Sequence, residues 1–336
     1  MAHFSIYLLP IVSFAGNVLT LLVILSNVQL NRSSFSVYVK AMGISDTCVL
    51  VLKFLSYENK TSKNFYFPSM CTGLVFLTEA SVLLSVWTIV LITMERTLVV
   101  LWPLHMKKFI SASRARTSIL SITLLSLIFS ARLLLIPIDK STKQMKRCHP
   151  VEEWQKYRQL NSTITEFAYC FIPLGLVITG NCITFSVIKR AIFQRRHMIV
   201  DQLQKQQRRL ELHENQLMLM LFIVTSMFIV YFVPFTISNI ILRLGLPFGY
   251  CFTSRSFENY LIIRSFCELL KDFNFCTNFI IYCISGQRFR RALCLLIRCK
   301  HKRWLTKNSE RESTKHRTER LMKLTAAKAI DEDGLN

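Results

Sequence analysis

Hydrophobic positions along the chain gather into seven long runs separated by polar or charged segments: Phe4–Leu25, Phe35–Leu55, Cys71–Leu101, Thr117–Ile138, Phe167–Ile188, Leu217–Leu242 and Tyr260–Ile284. A helix needs about 20 apolar residues to cross the hydrocarbon of a bilayer, and each run is long enough. None alternates with the two-residue period of a barrel strand, and a spanning segment must satisfy its own backbone, so the pattern predicts seven membrane helices. The third run carries a further signal. Fifteen residues after Glu79, Ala80 to Met94, hold no charge, and the run then breaks at Glu95-Arg96.

Beyond the last run, Gly286-Gln287-Arg288-Phe289-Arg290-Arg291-Ala292-Leu293 interleaves basic and apolar residues. This predicts a short amphipathic helix at about 287–298, lying along the membrane surface among its lipids. From Lys300 the chain is charged, Ser/Thr-bearing and nearly free of aromatics, as disordered segments are. The expected plan is an all-α, seven-transmembrane domain over 1–299 and a disordered tail over 300–336.

Composition narrows the class. The chain has 336 residues, is 51% hydrophobic and carries a net charge of +22. A soluble protein with that charge would suggest nucleic acid, but here the bases are segregated from the apolar runs, which excludes that partner. The eleven cysteines form no CxxC pair and no zinc spacing. No n-region, apolar core and cleavage site precede the first run, so no cleavable signal peptide is expected. Lys and Arg concentrate after runs one, three and five and in the tail, which puts the N-terminus outside and the tail in the cytoplasm. The sequons at Asn59 and Asn161 then fall on the extracellular side as glycosylation candidates, whereas that at Asn31 falls inside.

Polar residues within the runs are expensive there, so they are read as functional or as glue between helices. They are Asn17, Asp46, Ser85, Asn274 and Asn278. A carboxylate at the depth of Asp46 needs a cation, a proton or several donors. One acid with hydroxyl and amide oxygens suits sodium; a hydrogen-bonded knot that fixes packing is the alternative.

From about Phe14 to Cys299 the chain resembles the rhodopsin-like (class A) G-protein-coupled receptors. The landmarks occur in order: Gly16-Asn17, Ser45-Asp46, Cys71, Glu95-Arg96-Thr97 with the arginine 25 residues after that cysteine, Cys148, Pro173, Phe228 to Pro234, Asn278 to Tyr282, then Phe289. The resemblance implies a disulfide between Cys71 and Cys148, and an allosteric sodium site at Asp46 with Ser85, Asn274, Asn278 and Asn17. It implies no other metal or cofactor. It assigns the activation switch to Arg96, held at rest by Glu95 and Glu214, with Phe228, Phe232, Pro234 and Tyr282. Arg96 and Leu104 would contact a heterotrimeric G protein. Cys294 or Cys299 would be palmitoylated, and the tail would serve receptor kinases and arrestin. A snorkelling pair that only sets span depth is the plainer reading of Glu95-Arg96.

The chain departs from that pattern at several places. Thr97 stands where the family has tyrosine, Phe279 where it has proline, Phe232 where it has tryptophan and Asn181 where it has tyrosine; the fourth run lacks its tryptophan. Without the proline, a weaker kink is expected in the seventh helix.

Thr78 occupies the position where amine receptors carry aspartate, and Asp272, next to Lys271, the position of the opsin lysine. A monoamine ligand and retinal are therefore not expected. The candidate ligand pocket comprises Thr78, Glu79, Glu166, Arg243, Arg264, Glu268 and Asp272. Charges of both signs, continued by Lys53, Arg132 and Lys271, suit an extracellular peptide, and the pattern is most similar to neuropeptide receptors at the plasma membrane. A lipid or nucleotide ligand stays open, because six Lys and Arg lie between Lys140 and Arg158. So does a decoy that binds without signalling. There is no internal repeat for a transporter and no filter loop for a channel. All seven histidines lie at ends or loops, so no enzyme is expected.

Overall fold

The apolar runs fold as helices, several of which extend beyond their apolar residues. The computed structural model describes residues 2–27, 31, 33–61, 68–102, 105, 110–137, 154–196, 222–241 and 254–297. The first span is Ala2–Ser26, the second Ser34–Thr61, and the third Pro68–Leu101. The fourth, Ala112–Ser130, starts at Ser111, whose side chain accepts from the Arg114 N–H, and ends in a 3-10 turn at Ala131–Leu135. The fifth runs unbroken through Gln155–Glu166, a π turn at Phe167–Phe171, and Ile172–Arg196. The sixth is Phe222–Ile241.

Those six are long and apolar enough to cross a membrane. The seventh expected span is built differently. It consists of Ser254–Phe273 and Asn278–Ser285, separated by a tight turn. Its first helix carries Arg264, Glu268, Lys271 and Asp272, which lower its hydropathy. The weaker kink expected from the missing proline is overturned: the helix breaks just before Phe279. Through the turn the N–H groups of Asn274, Phe275 and Cys276 reach back three residues instead of four, at 3.1 Å each.

Residues Met1–Gln287 form one unit and Arg288–Asn336 another. In the second, the described residues belong to the helix Gln287–Ile297, within the predicted amphipathic segment.

The third span is the middle of the first unit and packs against the second, fourth and fifth. Lipid tails are as apolar as leucine, so close packing and interhelical hydrogen bonds, rather than apolar burial, hold such helices together. Gly180 shows how close the approach is. A Cβ on it would stand 2.6 Å from the Thr93 methyl and 3.1 Å from Thr97 Oγ1. The Thr97 hydroxyl, in place of the family's tyrosine, donates to the Thr93 carbonyl and lies 3.2 Å from both Gly180 O and Thr184 Oγ1.

The π turn has a local cause. Pro173 has no N–H, and in a regular helix its ring would press on the carbonyl four residues back. In the wider turn the Ile172 N–H bonds to Phe167 O. The Ala168 carbonyl is thereby left without its helical donor, and Trp87 of the third span supplies one from Nε1 at 3.0 Å.

Candidate functional site

At the Glu95 end of the bundle, Arg96 donates from Nη2 to Glu95 Oε1 at 3.1 Å. Two residues of the second span hold the same carboxylate: Ser34 donates to Oε1 at 2.9 Å and Tyr38 to Oε2 at 2.8 Å. Ser34 and Tyr38 are four residues apart and so share a helix face. Glu95 is therefore oriented by neutral donors as well as by its cation. The other expected acid, Glu214, and the expected G-protein contact Leu104 lie outside the described residues.

Above this pair, Phe228 and Phe232 are fully buried with ring centroids 4.3 Å apart. The sixth helix continues through Pro234. Asn181 of the fifth span accepts from Thr225 of the sixth at 2.9 Å, where the family offers a tyrosine. Tyr282 is buried, its ring 6.2 Å from Phe35 in an edge-on arrangement.

At mid-depth, the fully buried Asp46 accepts from Ser85 at Oδ1 and from Asn278 Nδ2 at Oδ2, the latter at 2.7 Å. Spans two, three and seven meet on this carboxylate. Asn17 does not bond to it. Its amide donates to Thr47 at 2.9 Å and to Ser13 at 3.0 Å, and Ser13 donates to the Phe275 carbonyl at 2.9 Å. The first span thus satisfies a carbonyl in the break of the seventh. Asn274 is buried, and its Nδ2 has no hydrogen-bond partner among the described residues. A buried carboxylate beside a hydroxyl oxygen is a donor set that fits a hard cation such as sodium.

The opposite end, near Cys71, carries the charges. Arg132 pairs with Glu79, and its guanidinium also donates to Asn161 and, at 2.6 Å, to Thr165. The Phe129 ring lies 3.8 Å from that guanidinium. Lys53 pairs with Asp272 at 2.5 Å, joining spans two and seven. Two residues of the expected ligand pocket, Glu79 and Asp272, are therefore tied into links between spans.

The remaining expected pocket residues vary. Thr78 donates back to the Leu74 carbonyl at 2.6 Å. Glu166 and Arg264 are half-buried, Glu268 is exposed, and Arg243 lies outside the described residues.

Lys271, one of the charges expected to continue the pocket, is placed differently from its neighbours. It is only 8% exposed, and its ammonium sits 3.9 Å from the centroid of the Phe235 ring. It forms no ion pair among the described residues. A desolvated cation–π contact contributes about 2 kcal/mol, less than the several kcal/mol that burying an ammonium costs.

Cys71 is disulfide-bonded, and its expected partner, Cys148, lies outside the described residues. Asn59 is fully buried and donates to Cys71 Sγ at 3.2 Å. Asn161 is 4% exposed and holds Arg132. Both belong to helices rather than to the expected loops, so neither side chain is presented for a glycan in this conformation. Cys294 is exposed on its helix; Cys299 is outside the described residues.

Residues 16–282 match the family model described as 7 transmembrane receptor (rhodopsin family). Over 291 residues the chain is 22% identical to Galanin receptor 2a of Danio rerio, covering 86% of this chain and 76% of that receptor. Over 295 residues it is 23% identical to C-C chemokine receptor type 1 of Macaca fascicularis, covering 84% of this chain and 75% of that one.

Proposed function

The chain belongs to the rhodopsin family of seven-transmembrane receptors, and on that premise we propose that it binds an extracellular peptide and activates a heterotrimeric G protein. Its relatives are receptors, not enzymes. The observation that carries the reading is Arg96 held by Glu95 at one end of a bundle whose other end bears charges of both signs. Such an ion pair at the edge of low dielectric has two arrangements, and a ligand that prefers one shifts the balance. Outward movement of the sixth span frees Arg96 toward the G protein, with Leu104 as a second contact. Phe228 and Phe232 lie on the moving helix, and Tyr282 on the seventh. Relatives named as a galanin receptor and a C-C chemokine receptor support a peptide.

In this reading the receptor sits in the plasma membrane with its N-terminus outside. The Asp46 carboxylate and the Ser85 hydroxyl would hold an allosteric sodium ion, which supplies a positive charge at mid-depth. The helix Gln287–Ile297 lies along the inner face, anchored at Cys294 or Cys299, and the tail meets kinases and arrestin. Six bases between Lys140 and Arg158 favour a second reading, an anionic lipid or nucleotide as ligand.

The test is a peptide library scored by G-protein dissociation in cells expressing the chain or its Arg96→Ala variant at matched surface levels. At least one peptide should act on the first and none on the second. Binding without dissociation would point to a decoy, and a response intact in Arg96→Ala would remove the switch.

A further inference from the structure

We propose that the Lys271 ammonium anchors a carboxylate of the ligand. The inference rests on the receptor reading above and adds the chemistry its pocket recognises. Among the described residues of the Cys71 end, two acids are already paired: Glu79 holds Arg132, and Asp272 holds Lys53. Lys271 is more than nine-tenths buried, lies over the face of Phe235 and makes no ion pair among the described residues. That face offsets part of the desolvation, and the rest calls for an anion.

The ammonium lies between two spans. Phe235 belongs to the sixth span and Lys271 to the seventh. Glu268, one turn earlier on the seventh, is exposed and acts on the ammonium without pairing with it. Lys53 and Asp272 are the other charges that act there. Two bases and two acids leave this group neutral. A monoanion therefore suits it better than a phosphate, whose second charge would face Glu268 and Asp272. The aromatic face beside the ammonium favours a carboxylate carried on an apolar group.

Two sources offer such a group: a peptide ending in a free carboxylate, or a fatty acid. The full chain, purified into lipid nanodiscs, is heated with N-acetyl-leucyl-phenylalanine or its C-terminal amide, and with decanoate or decanamide. In saturating probe, at least one acid should raise the unfolding midpoint by about 3 °C while its amide does not. Lys271→Met should abolish that shift, and Lys271→Arg should keep it.

Response to the dipeptide acid supports the anchor with a peptide ligand. Response to decanoate alone also supports the anchor and turns the ligand to lipid, leaving the peptide reading to fail separately in the library. No difference between acids and amides, or a Lys271→Met receptor that responds like the unaltered chain, overturns the proposal. Should Lys271→Met fail to fold, the acid–amide contrast on the unaltered chain still decides.

Discussion

The phenol of Tyr38 in the second span donates to the carboxylate of Glu95 in the third across 2.8 Å. Together with Ser34 it fixes the oxygen atoms that hold Arg96. A hydrogen bond to a charged group contributes about 1.5–3 kcal/mol, so its loss should reach the switch. Tyr38→Phe, with Ser34 intact, is expected to raise ligand-free signalling roughly fivefold, the effect of about 1 kcal/mol on a two-state balance. G-protein dissociation without ligand, at matched surface levels, is the measurement. Unchanged basal activity would mean that Tyr38 only packs.

The Glu79–Arg132 pair joins the third and fourth spans, and Thr165 and Asn161 bring in the fifth. Removing one partner of a buried pair strands the other and costs about 3–5 kcal/mol. Glu79→Ala should therefore lower the unfolding midpoint and surface expression sharply. The double variant Glu79→Leu with Arg132→Met should recover most of both. If the double variant is no better than the single one, the ion pair is not what the bundle loses.

At Gly180 the fifth span comes close to the third. Gly180→Ala puts a methyl into the Thr93 Cγ2 and is expected to cost about 1–3 kcal/mol. Thr93→Ser removes that carbon while keeping the hydroxyl that bonds to Ile89 O. Adding it to Gly180→Ala should restore the midpoint. Thermal unfolding of the four proteins in one buffer gives the answer.

Hydropathy made most of this architecture legible, because apolar run length is a strong signal in a chain that crosses a bilayer. It was silent where the helices leave the apolar zone. Asn59 and Asn161 read as loop residues because the polar turns around them carry no such signal, yet both are helical and buried. Glu79 and Asp272 read as ligand-facing because a sequence shows charges and not their partners. The break in the seventh span is not legible in the sequence because no proline marks it; a donor from Ser13 and three backbone bonds reaching back three residues accompany it instead. Ser34 and Tyr38 were findable: two hydroxyls four apart at the Glu95 end of a span form one face.

Asp46 accepts two protein donors, and a sodium ion at this position would draw on the same oxygen atoms. The ligand-free receptor should unfold at a higher temperature in sodium chloride than in choline chloride. In Asp46→Asn that difference should vanish, because the carboxamide offers one neutral oxygen in place of a charge. Equal midpoints for the unaltered receptor in both salts would leave Asp46 as a packing knot.

The seventh span works as a linkage with unequal arms. Ser254–Phe273 spans about 30 Å and Asn278–Ser285 about 12 Å, at 1.5 Å per residue. Between them the first span supplies the pin, through the Ser13 hydroxyl on the Phe275 carbonyl. An unbroken helix would carry a tilt of its outer end straight to Tyr282. A broken one lets its two arms tilt separately about the residues between them. The first span thus holds the joint of the seventh, and Ser13 marks its place.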